Sequence, residues 1–294
     1  MDAGMVAQVR SFNRLVTERI GALDQGFLGR GRPLAEARML WEIGEGGREV
    51  RELRRALGLD SGYLARLLRS LERQRLVAVA AAPGDRRVRR ARLTEAGLAE
   101  RAELDRRSDR LAVSVLDPLS EEQRSRLTAA MAEVERLLAA SMVRVGVEDP
   151  TSPDARWCME QYFAELDRRF DGGFDPAASI SAEAPELTPP AGALLVARLR
   201  RRPVGCGALR LRPDGVGVIK RMWVAPETRG LGLGRRLLRE LEEVAREHRV
   251  AVLRLETNRS LTEAIGLYRA SGYREVEAFN DEPYAHHWFE KRIS

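Results

Sequence analysis

The most informative stretch of this 294-residue chain is IKRMWVAPETRGLGLG, residues 219–234. Its first half has the apolar and β-branched residues of a buried strand, and its second half is a glycine-rich turn leading into a helix predicted over 235–248. Glycines let backbone N–H groups approach a phosphate without an intervening Cβ, and the start of a helix favours negative charge. The stretch therefore predicts a diphosphate-binding cradle between a strand and a helix.

Two common nucleotide-binding loops do not fit the spacing of this cradle. A P-loop ends in Gly-Lys-Ser/Thr, and a dinucleotide-binding fold needs Gly-x-Gly-x-x-Gly soon after its first strand. The pattern present is Arg-x-x-Gly-x-Gly, formed by Arg229, Gly232 and Gly234. After it, 251–258 is predicted as a strand, 261–271 as a helix and 272–276 as a return strand.

This order of elements resembles the coenzyme A site of the GNAT acetyltransferases, and the resemblance covers 142–294. It implies an α+β fold with a mixed, mostly antiparallel twisted sheet, in which two central strands part to admit acetyl-CoA as the acetyl donor. The strand before the turn would contact the pantetheine arm, and the turn would contact the phosphates. The residues implied to hold the cofactor are Met222, Val224, Arg229, Gly230, Leu231, Gly232, Leu233, Gly234, Arg235, Asn258 and Tyr268.

The resemblance also implies the catalytic groups of a direct acetyl transfer to an amine. Tyr268 would protonate the leaving thiolate as general acid, although by its helical position alone it would be a packed core aromatic. Many relatives carry a Glu base on the strand before the phosphate loop, whereas Val218 stands at that position here. Glu256 is the nearest replacement, and a plain strand-end charge or a water chain acting as base are the alternatives.

The favoured acceptor is a small amine or an amino-acid-like molecule. Candidates to hold it are Tyr284, His286 and Glu160, with Glu290, Arg168 and Arg169 as further possibilities. A helix predicted after Ser152 and Pro153 has an aromatic face that suits a core better than an acceptor pocket. That face comprises Trp157, Tyr162, Phe163, Leu166 and Phe170. Adjacent His286 and His287 have poor ligand spacing, so we expect no metal.

Two other functions stay open for this half of the chain. It could be a sensor that binds acetyl-CoA or an amine without turnover, since the base at Val218 is missing. It could also acetylate protein lysines, which needs an open peptide groove, and a hairpin predicted over 279–288 would close such a groove.

The residues before about 141 have almost entirely helical apolar spacing. A helix begins at Pro33, a second covers 50–57 and ends at Gly58, and Asp60 and Ser61 can cap a third. The third helix buries its leucines and leaves a polar face, as a DNA recognition helix does. That polar face includes Ser61, Gly62, Tyr63, Arg66 and Arg69.

A basic hairpin follows, with strands over 76–80 and 88–93 and five Arg between Arg86 and Arg92. The segment Leu93-Thr94-Glu95-Ala96-Gly97 then opens a long helix. This arrangement resembles the winged helix-turn-helix of MarR-family regulators. The resemblance implies a double-stranded DNA operator as partner, an ion pair of Asp85 with Arg87 that braces the wing, and insertion of Arg86 into the minor groove.

The MarR resemblance further implies a homodimer built from helices over 6–23, 98–116 and 121–140. The apolar residues that would suit this packing suit an intramolecular core equally well. They are Leu111, Val115, Leu127, Met131, Val134 and Leu138. We therefore predict a DNA-binding and dimerisation domain over 1–141 and an acetyltransferase domain over 142–294.

The overall composition excludes little beyond this. A net charge of +6 and a pI near 9.9 permit a nucleic-acid partner, but an ordinary basic surface fits as well, because nearly all cations are Arg. Only Cys158 and Cys206 occur, which indicates neither a disulfide framework nor a zinc site. No segment approaches the roughly 18 apolar residues of a membrane span, so we expect a cytoplasmic protein.

Overall fold

The computed structural model describes residues 2–21, 27–82, 85–180 and 182–293, apart from the side chains of Ala82 and Arg86. It consists of two compact units, Met1–Thr128 and Ala129–Ser294. The division falls within the helix that ends at Met142, whereas the sequence placed the domain boundary after 141.

The first unit is mostly helical, and local side chains start and stop its helices. Asp60 Oδ1 accepts a hydrogen bond from the Tyr63 N–H at 2.8 Å, so Asp60 is the predicted N-cap. Gly58 ends the preceding helix in the left-handed conformation at φ 64°. The helices are α1 (Ala3–Arg19), α2 (Leu34–Ile43), α3 (Val50–Leu57), α4 (Ser61–Arg73), α5 (Glu95–Leu116) and α6 (Glu121–Met142), of which α6 continues into the second unit.

A small antiparallel sheet completes the winged helix-turn-helix of the first unit. Its strands are β1 (Arg48–Glu49), β2 (Val77–Ala82) and β3 (Asp85–Leu93), in the order β1-β3-β2. Thr94 caps α5, and a Cβ on Gly97 would lie 2.0 Å from the Leu76 carbonyl oxygen. The first turn of α5 can therefore pack against the start of the wing only because residue 97 is glycine. The tip residues Pro83 and Gly84 lie outside the described residues.

The second unit has a seven-stranded sheet with helices on it. Six strand pairs of the order β4-β5-β6-β7-β8-β10-β9 include only one parallel pair, β7 with β8, so the predicted mixed and mostly antiparallel sheet is confirmed. The elements are β4 (Arg144–Glu148), α7 (Pro153–Arg169), β5 (Gly192–Leu199), β6 (Arg202–Leu211), β7 (Val216–Val224), α8 (Leu233–Glu247), β8 (Val252–Thr257), α9 (Thr262–Ala270), β9 (Arg274–Val276) and β10 (His287–Arg292).

The two parallel strands pair only at their first residues. Val216 to Val218 pair with Val252 to Arg254, and beyond this point β7 and β8 continue without pairing. On the other edge of β7, the pairing with β6 is irregular between Cys206 and Ala208, where Arg221 has φ 56°. The bulge and the unpaired edge leave a gap in the middle of the sheet, as expected.

The predicted last strand begins later than expected. It was expected from about residue 283, but β10 begins at His287, and the residues before it form a loop. Pro283 has no N–H to donate to a ladder, and the Tyr284 N–H is directed to the Glu282 carboxylate at 3.4 Å. The backbone of this loop joins the sheet where the His286 N–H donates to the Thr257 carbonyl oxygen at 3.0 Å.

Among the described residues, no helix is both long enough and apolar enough to cross a membrane.

Candidate functional site

The glycine-rich turn forms the predicted cradle at the start of α8. Gly230 and Gly232 have φ of 76° and 73°, conformations that residues with a Cβ rarely adopt. The helix has no side-chain cap, and within the described part of the chain no group accepts from the backbone N–H groups of 230–235. A helix start with consecutive free N–H groups has the right chemistry for a diphosphate.

Arg229, which was predicted to contact the phosphates, is bound to neighbouring protein groups through two of its nitrogens. Its Nη2 forms an ion pair with Glu165, and its Nε donates to the Val224 carbonyl oxygen at 3.0 Å. Glu165 is 9% exposed and also accepts from the Trp223 indole N–H at 3.0 Å. Arg229 thus ties the turn to the end of β7 and to α7, whereas Arg235 on the first turn of α8 is exposed.

The strand β7 leads from the gap in the sheet to the cradle. Met222 lines the cleft described next, and Val224 lies 3.9 Å from the position of a Cβ on Gly234. A Cβ on Gly207 would lie 2.7 Å from the Met222 sulfur, so glycine on β6 gives the bulged strand its room. The unpaired edge of β7 therefore offers backbone groups to an extended ligand that continues towards the turn.

A cleft of about 770 Å³, part of it open to solvent, lies beside this edge. It contains both predicted catalytic residues, Glu256 and Tyr268, together with Asn258. In the sequence these residues belong to β8 and the loop after it, and to α9. The polar residues lining it are Tyr162, Ser179, Lys220, Arg221, Glu256, Thr257, Asn258, Tyr268, Glu282 and Tyr284.

Tyr268 is 5% exposed and lies on α9 with its ring near Phe289, at 5.9 Å between centroids. Burial raises the pKa of its phenol, and the negative charge of Glu256 raises it further. Both effects disfavour the phenolate, so the hydroxyl keeps its proton at neutral pH. A neutral phenol in a cleft is able to act as a proton donor.

Glu256 forms an ion pair with Lys220, which was not predicted as a site residue. The Glu256 side chain is 5% exposed, and Lys220 also donates to the Ile180 carbonyl oxygen at 3.0 Å. Glu256 Oε2 is buried and has no hydrogen-bond partner among the described residues. The one sequence feature that singles out Lys220 is the rarity of lysine in this Arg-rich chain, in which Lys220 and Lys291 are the two lysines.

Asn258 holds the cleft together through both ends of its side-chain amide. Its Nδ2 donates to the Tyr284 carbonyl oxygen at 2.8 Å, and its Oδ1 accepts from the Ser260 N–H at 2.9 Å. Glu282, which was not predicted, accepts from the Ser179 hydroxyl at 2.9 Å and from the Ile180 N–H at 2.7 Å. These bonds connect the loops on either side of the cleft.

Of the three predicted acceptor residues, only Tyr284 lies at the cleft. Glu160 is on the exposed side of α7, because its helical position faces away from the sheet, and His286 is exposed on the loop before β10. His287 bonds Glu275 through Nδ1 at 2.6 Å, and this bond is the main reason why the pKa of Glu275 is lowered. The aromatic face of α7 was expected to be core, and Leu166 and Phe170 are indeed buried, while Tyr162 and Phe163 pack against the core. The same four residues also line the cleft.

The first unit presents its own polar surface at α4. Ser61, Gly62, Arg66 and Arg69 are exposed, and the Arg66 guanidinium lies over the Tyr63 ring at 5.6 Å. A groove between α3, α4 and the hairpin is rich in arginine, with Glu72 and Asp85 as its acids. The arginines lining it are Arg51, Arg54, Arg69, Arg87 and Arg89.

The wing differs from its expected bracing. Asp85 Oδ1 accepts from the Arg87 backbone N–H at 2.8 Å, and within the described residues the two side chains form no ion pair. A backbone bond fixes the turn without using the guanidinium, which therefore remains available to an external anion. The side chain of Arg86 lies outside the described residues.

Helix α1 exposes a continuous set of apolar side chains. Of the described residues on this helix, none is buried. The exposed set is Met5, Val6, Val9, Phe12, Leu15 and Val16, with Ile20 at the helix end.

Comparisons with known proteins agree with these two units. The family model described as Acetyltransferase (GNAT) family matches residues 157–273, and the MarR family model matches residues 30–88. An IAA acetyltransferase from Azospirillum brasilense is 36% identical over 120 residues, which are 40% of this chain and 78% of the relative.

Two solved structures each align with about half of the chain. A GNAT-family acetyltransferase from Staphylococcus aureus is 17% identical over 51% of this chain and 100% of its own, with a TM-score of 0.46. A Pseudomonas aeruginosa protein described as a "probable transcriptional regulator" is 24% identical over 44% of this chain and 98% of its own, with a TM-score of 0.37.

Proposed function

Because the chain belongs to the GNAT acetyltransferase family and carries a MarR-family regulator domain ahead of this enzyme unit, we propose that it is a DNA-binding regulator that also acetylates a small amine. The enzyme is an acetyl-CoA-dependent N-acetyltransferase. We further propose that the acceptor is small, that the acetyl group is transferred directly, and that individual residues have the roles given below.

The observation that carries the catalytic proposal is the meeting of a buried carboxylate oxygen and a neutral phenol in one cleft. Glu256 Oε2 has no partner among the described residues, and Tyr268 lines the same cleft. This cleft adjoins the unpaired edge of β7, which leads to the cradle. The acceptor amine and the thioester would therefore meet between a proton acceptor and a proton donor.

In the proposed reaction, Glu256 takes a proton from the acceptor ammonium and leaves a neutral amine. The amine nitrogen attacks the thioester carbonyl carbon, so that a C–N bond forms and the C–S bond breaks. Tyr268 donates its proton to the departing sulfur, and the proton that the nitrogen loses as the amide forms restores the Tyr268 phenol, while Glu256 releases its proton to solvent. The products are the acetylated amine and coenzyme A, and no covalent enzyme intermediate forms.

The residues present fit acetyl-CoA, which supplies the acetyl group as a thioester. The free N–H groups of 230–235 and exposed Arg235 would bind the diphosphate, and the edge of β7 at Met222 and Val224 would bind the pantetheine arm. Arg229 would position the turn through Glu165. Asn258 would act as a positioning residue, because both ends of its amide already bind the backbone.

The test is coenzyme A release from acetyl-CoA by the full chain across a panel of amino acids, simple amines and a lysine-containing peptide. We expect turnover that depends on a small amine, with intersecting double-reciprocal plots, because both substrates must be bound before transfer. Parallel plots together with an acetylated protein in mass spectra would contradict direct transfer. Tight acetyl-CoA binding without turnover on any acceptor would instead make this unit a sensor.

The DNA-binding half is tested at α4, where Arg66 is exposed. We expect Arg66→Ala to weaken binding to double-stranded DNA by about tenfold, and to lower the salt slope by about 1 if Arg66 contacts a phosphate. The measurement is fluorescence anisotropy at several salt concentrations, with a duplex selected from random DNA by the wild-type protein. Arg239→Ala, an exposed arginine on α8, is the control.

Equal loss in both arginine variants would mean that binding depends on overall charge and not on α4. Acetyl transfer should be unchanged in Arg66→Ala. The exposed apolar set on α1 supports the further proposal of a homodimer that reads a near-palindromic operator with half-sites about one helical turn apart.

A further inference from the structure

We propose that the acceptor is a primary amine that carries an aromatic ring, with its amine at Glu256 and its ring against the aromatic wall of the cleft. This inference rests on the proposed function and specifies its substrate class. The aromatic wall is defined as Tyr162, Phe163, Phe170, Phe174 and Tyr284.

The concentration of rings at this cleft is unusual for the composition of the chain. Aromatic residues make up 5% of the chain, which has seven Phe, five Tyr and four Trp. Six of these sixteen line the cleft, namely the aromatic wall and Tyr268. Ordinary core packing does not require this, because the core of the same unit is otherwise built mainly from Leu, Val and Ala.

The aromatic wall is assembled from three separate segments and faces open space. Phe174 contacts Phe163, Phe170 and Tyr284, with ring centroids 5.8, 5.7 and 4.8 Å apart. The Tyr284 hydroxyl accepts from the Asp175 N–H at 2.9 Å, which fixes one loop to the other. Tyr162, Phe163, Phe174 and Tyr284 are only partly buried, so their rings keep surface for a ligand.

The Glu256 carboxylate in the cleft selects for a ligand that donates a hydrogen bond. Glu256 Oε1 is occupied by Lys220, whereas Oε2 is buried without a partner among the described residues. An unpaired buried carboxylate oxygen is costly, and an ammonium or amine satisfies it. The ligand that matches both features is amphipathic, with an amine at one end and a ring at the other.

This pattern disfavours two other acceptor classes. Polyamines and lysine side chains offer an amine on a methylene chain, which covers an aromatic wall less well than another ring does. Offset or edge-to-face ring pairs add about 0.5–1.5 kcal/mol beyond the buried area, which corresponds to about 2- to 12-fold in affinity. Arylalkylamines and aromatic amino acids both carry a ring and an amine. The experiment therefore distinguishes between these two classes of acceptor.

The experiment compares kcat/KM for coenzyme A release at saturating acetyl-CoA with matched amines. The aromatic arms are 2-phenylethylamine and phenylalanine, and the ring-free arms are hexylamine, leucine and spermidine. We expect at least one aromatic arm to exceed its ring-free counterpart by about tenfold or more. The better of the two aromatic arms identifies whether the acceptor carries a carboxylate.

Two variants locate the preference at the aromatic wall. Phe174→Leu and Phe163→Leu keep apolar bulk but remove a ring, so we expect each to raise KM for the aromatic acceptor about three- to tenfold and to reduce its advantage over hexylamine. Phe279→Leu is the control, because Phe279 packs against Arg254 at 5.2 Å and does not line the cleft.

Turnover that is equal or higher with the ring-free amines would overturn this inference and leave the acetyltransferase proposal standing. Uniform losses on all acceptors in both variants would also overturn it, because the rings would then act only in folding. Failure of every amine to support turnover would overturn the proposed function itself.

Discussion

Replacing Tyr268 by Phe is expected to lower kcat for acetyl transfer by about 10²- to 10³-fold, the usual contribution of a general acid. The change removes one hydroxyl and keeps the ring that packs near Phe289 and Tyr273. Affinity for acetyl-CoA should therefore stay within about twofold of the wild type. The measurements are steady-state turnover with the best amine of the panel and calorimetric binding of acetyl-CoA.

Tyr273→Phe is the matched control for this prediction. Tyr273 is 3% exposed, its ring is 6.1 Å from that of Tyr268, and it does not line the cleft. It should lose no more than a few-fold in kcat. An equal loss in the two variants would show that a buried hydroxyl supports the fold of this unit and that proton donation by Tyr268 is not the cause.

The pH dependence separates Tyr268 from a group that titrates near neutrality. Burial and the charge of Glu256 both raise the pKa of Tyr268. The phenol therefore stays protonated at every pH below the ordinary pKa of a tyrosine. We therefore expect the wild type to show no loss of kcat from Tyr268 ionisation up to about pH 9. A falling limb below pH 9 that disappears in Tyr268→Phe would contradict this.

Local rules were sufficient to predict much of the first unit. The predicted helix at 50–57 is α3, Gly58 ends it, and Asp60 caps α4. Each of these features depends on a few neighbouring residues, whose backbone preferences are expressed almost independently of the rest of the fold. The cradle before α8 was recognisable for the same reason, because its glycines and its helix are contiguous.

The content of the cleft depended on contacts between distant residues and was only partly predictable. Lys220 and Glu256 are on strands that the sequence cannot pair, since β7 and β8 separate before reaching them. Arg229 was expected at a phosphate, but its partner Glu165 lies on α7, far away in sequence. Helical spacing identified the aromatic face of α7 without indicating that it would line a cleft.

The thiols of Cys158 and Cys206 show the same limit. They are distant in sequence and gave no sign of association, yet both are buried, and the nearby Cys206 thiol is the first reason why the pKa of Cys158 is lowered. Spacing in the sequence reports on contacts only within one element or across a tight turn. It does not report on pairs of residues that only the packing of α7 on the sheet brings together.

Glu256→Gln is expected to lower kcat/KM for the acceptor by about 10²-fold at neutral pH, because the ammonium then has no acceptor for its proton in the cleft. The loss should shrink as the pH rises. If Glu256 takes the proton, activity of the variant will follow the fraction of acceptor already present as free amine. We expect this activity to increase about tenfold per pH unit below the pKa of the acceptor amine.

Two comparisons distinguish loss of the base from loss of structure. Glu290→Gln is the control on the neighbouring strand, since Glu290 is also paired with a cation, Arg254, at 2.9 Å, but lies outside the cleft. In Glu256→Gln the buried Lys220 ammonium loses its charged partner, so the double variant with Lys220→Met removes both charges and should recover stability without recovering activity. A rate in Glu256→Gln that is unaffected by pH, or activity restored in the double variant, would show that Glu256 only pairs with Lys220, and a water chain would then be the base.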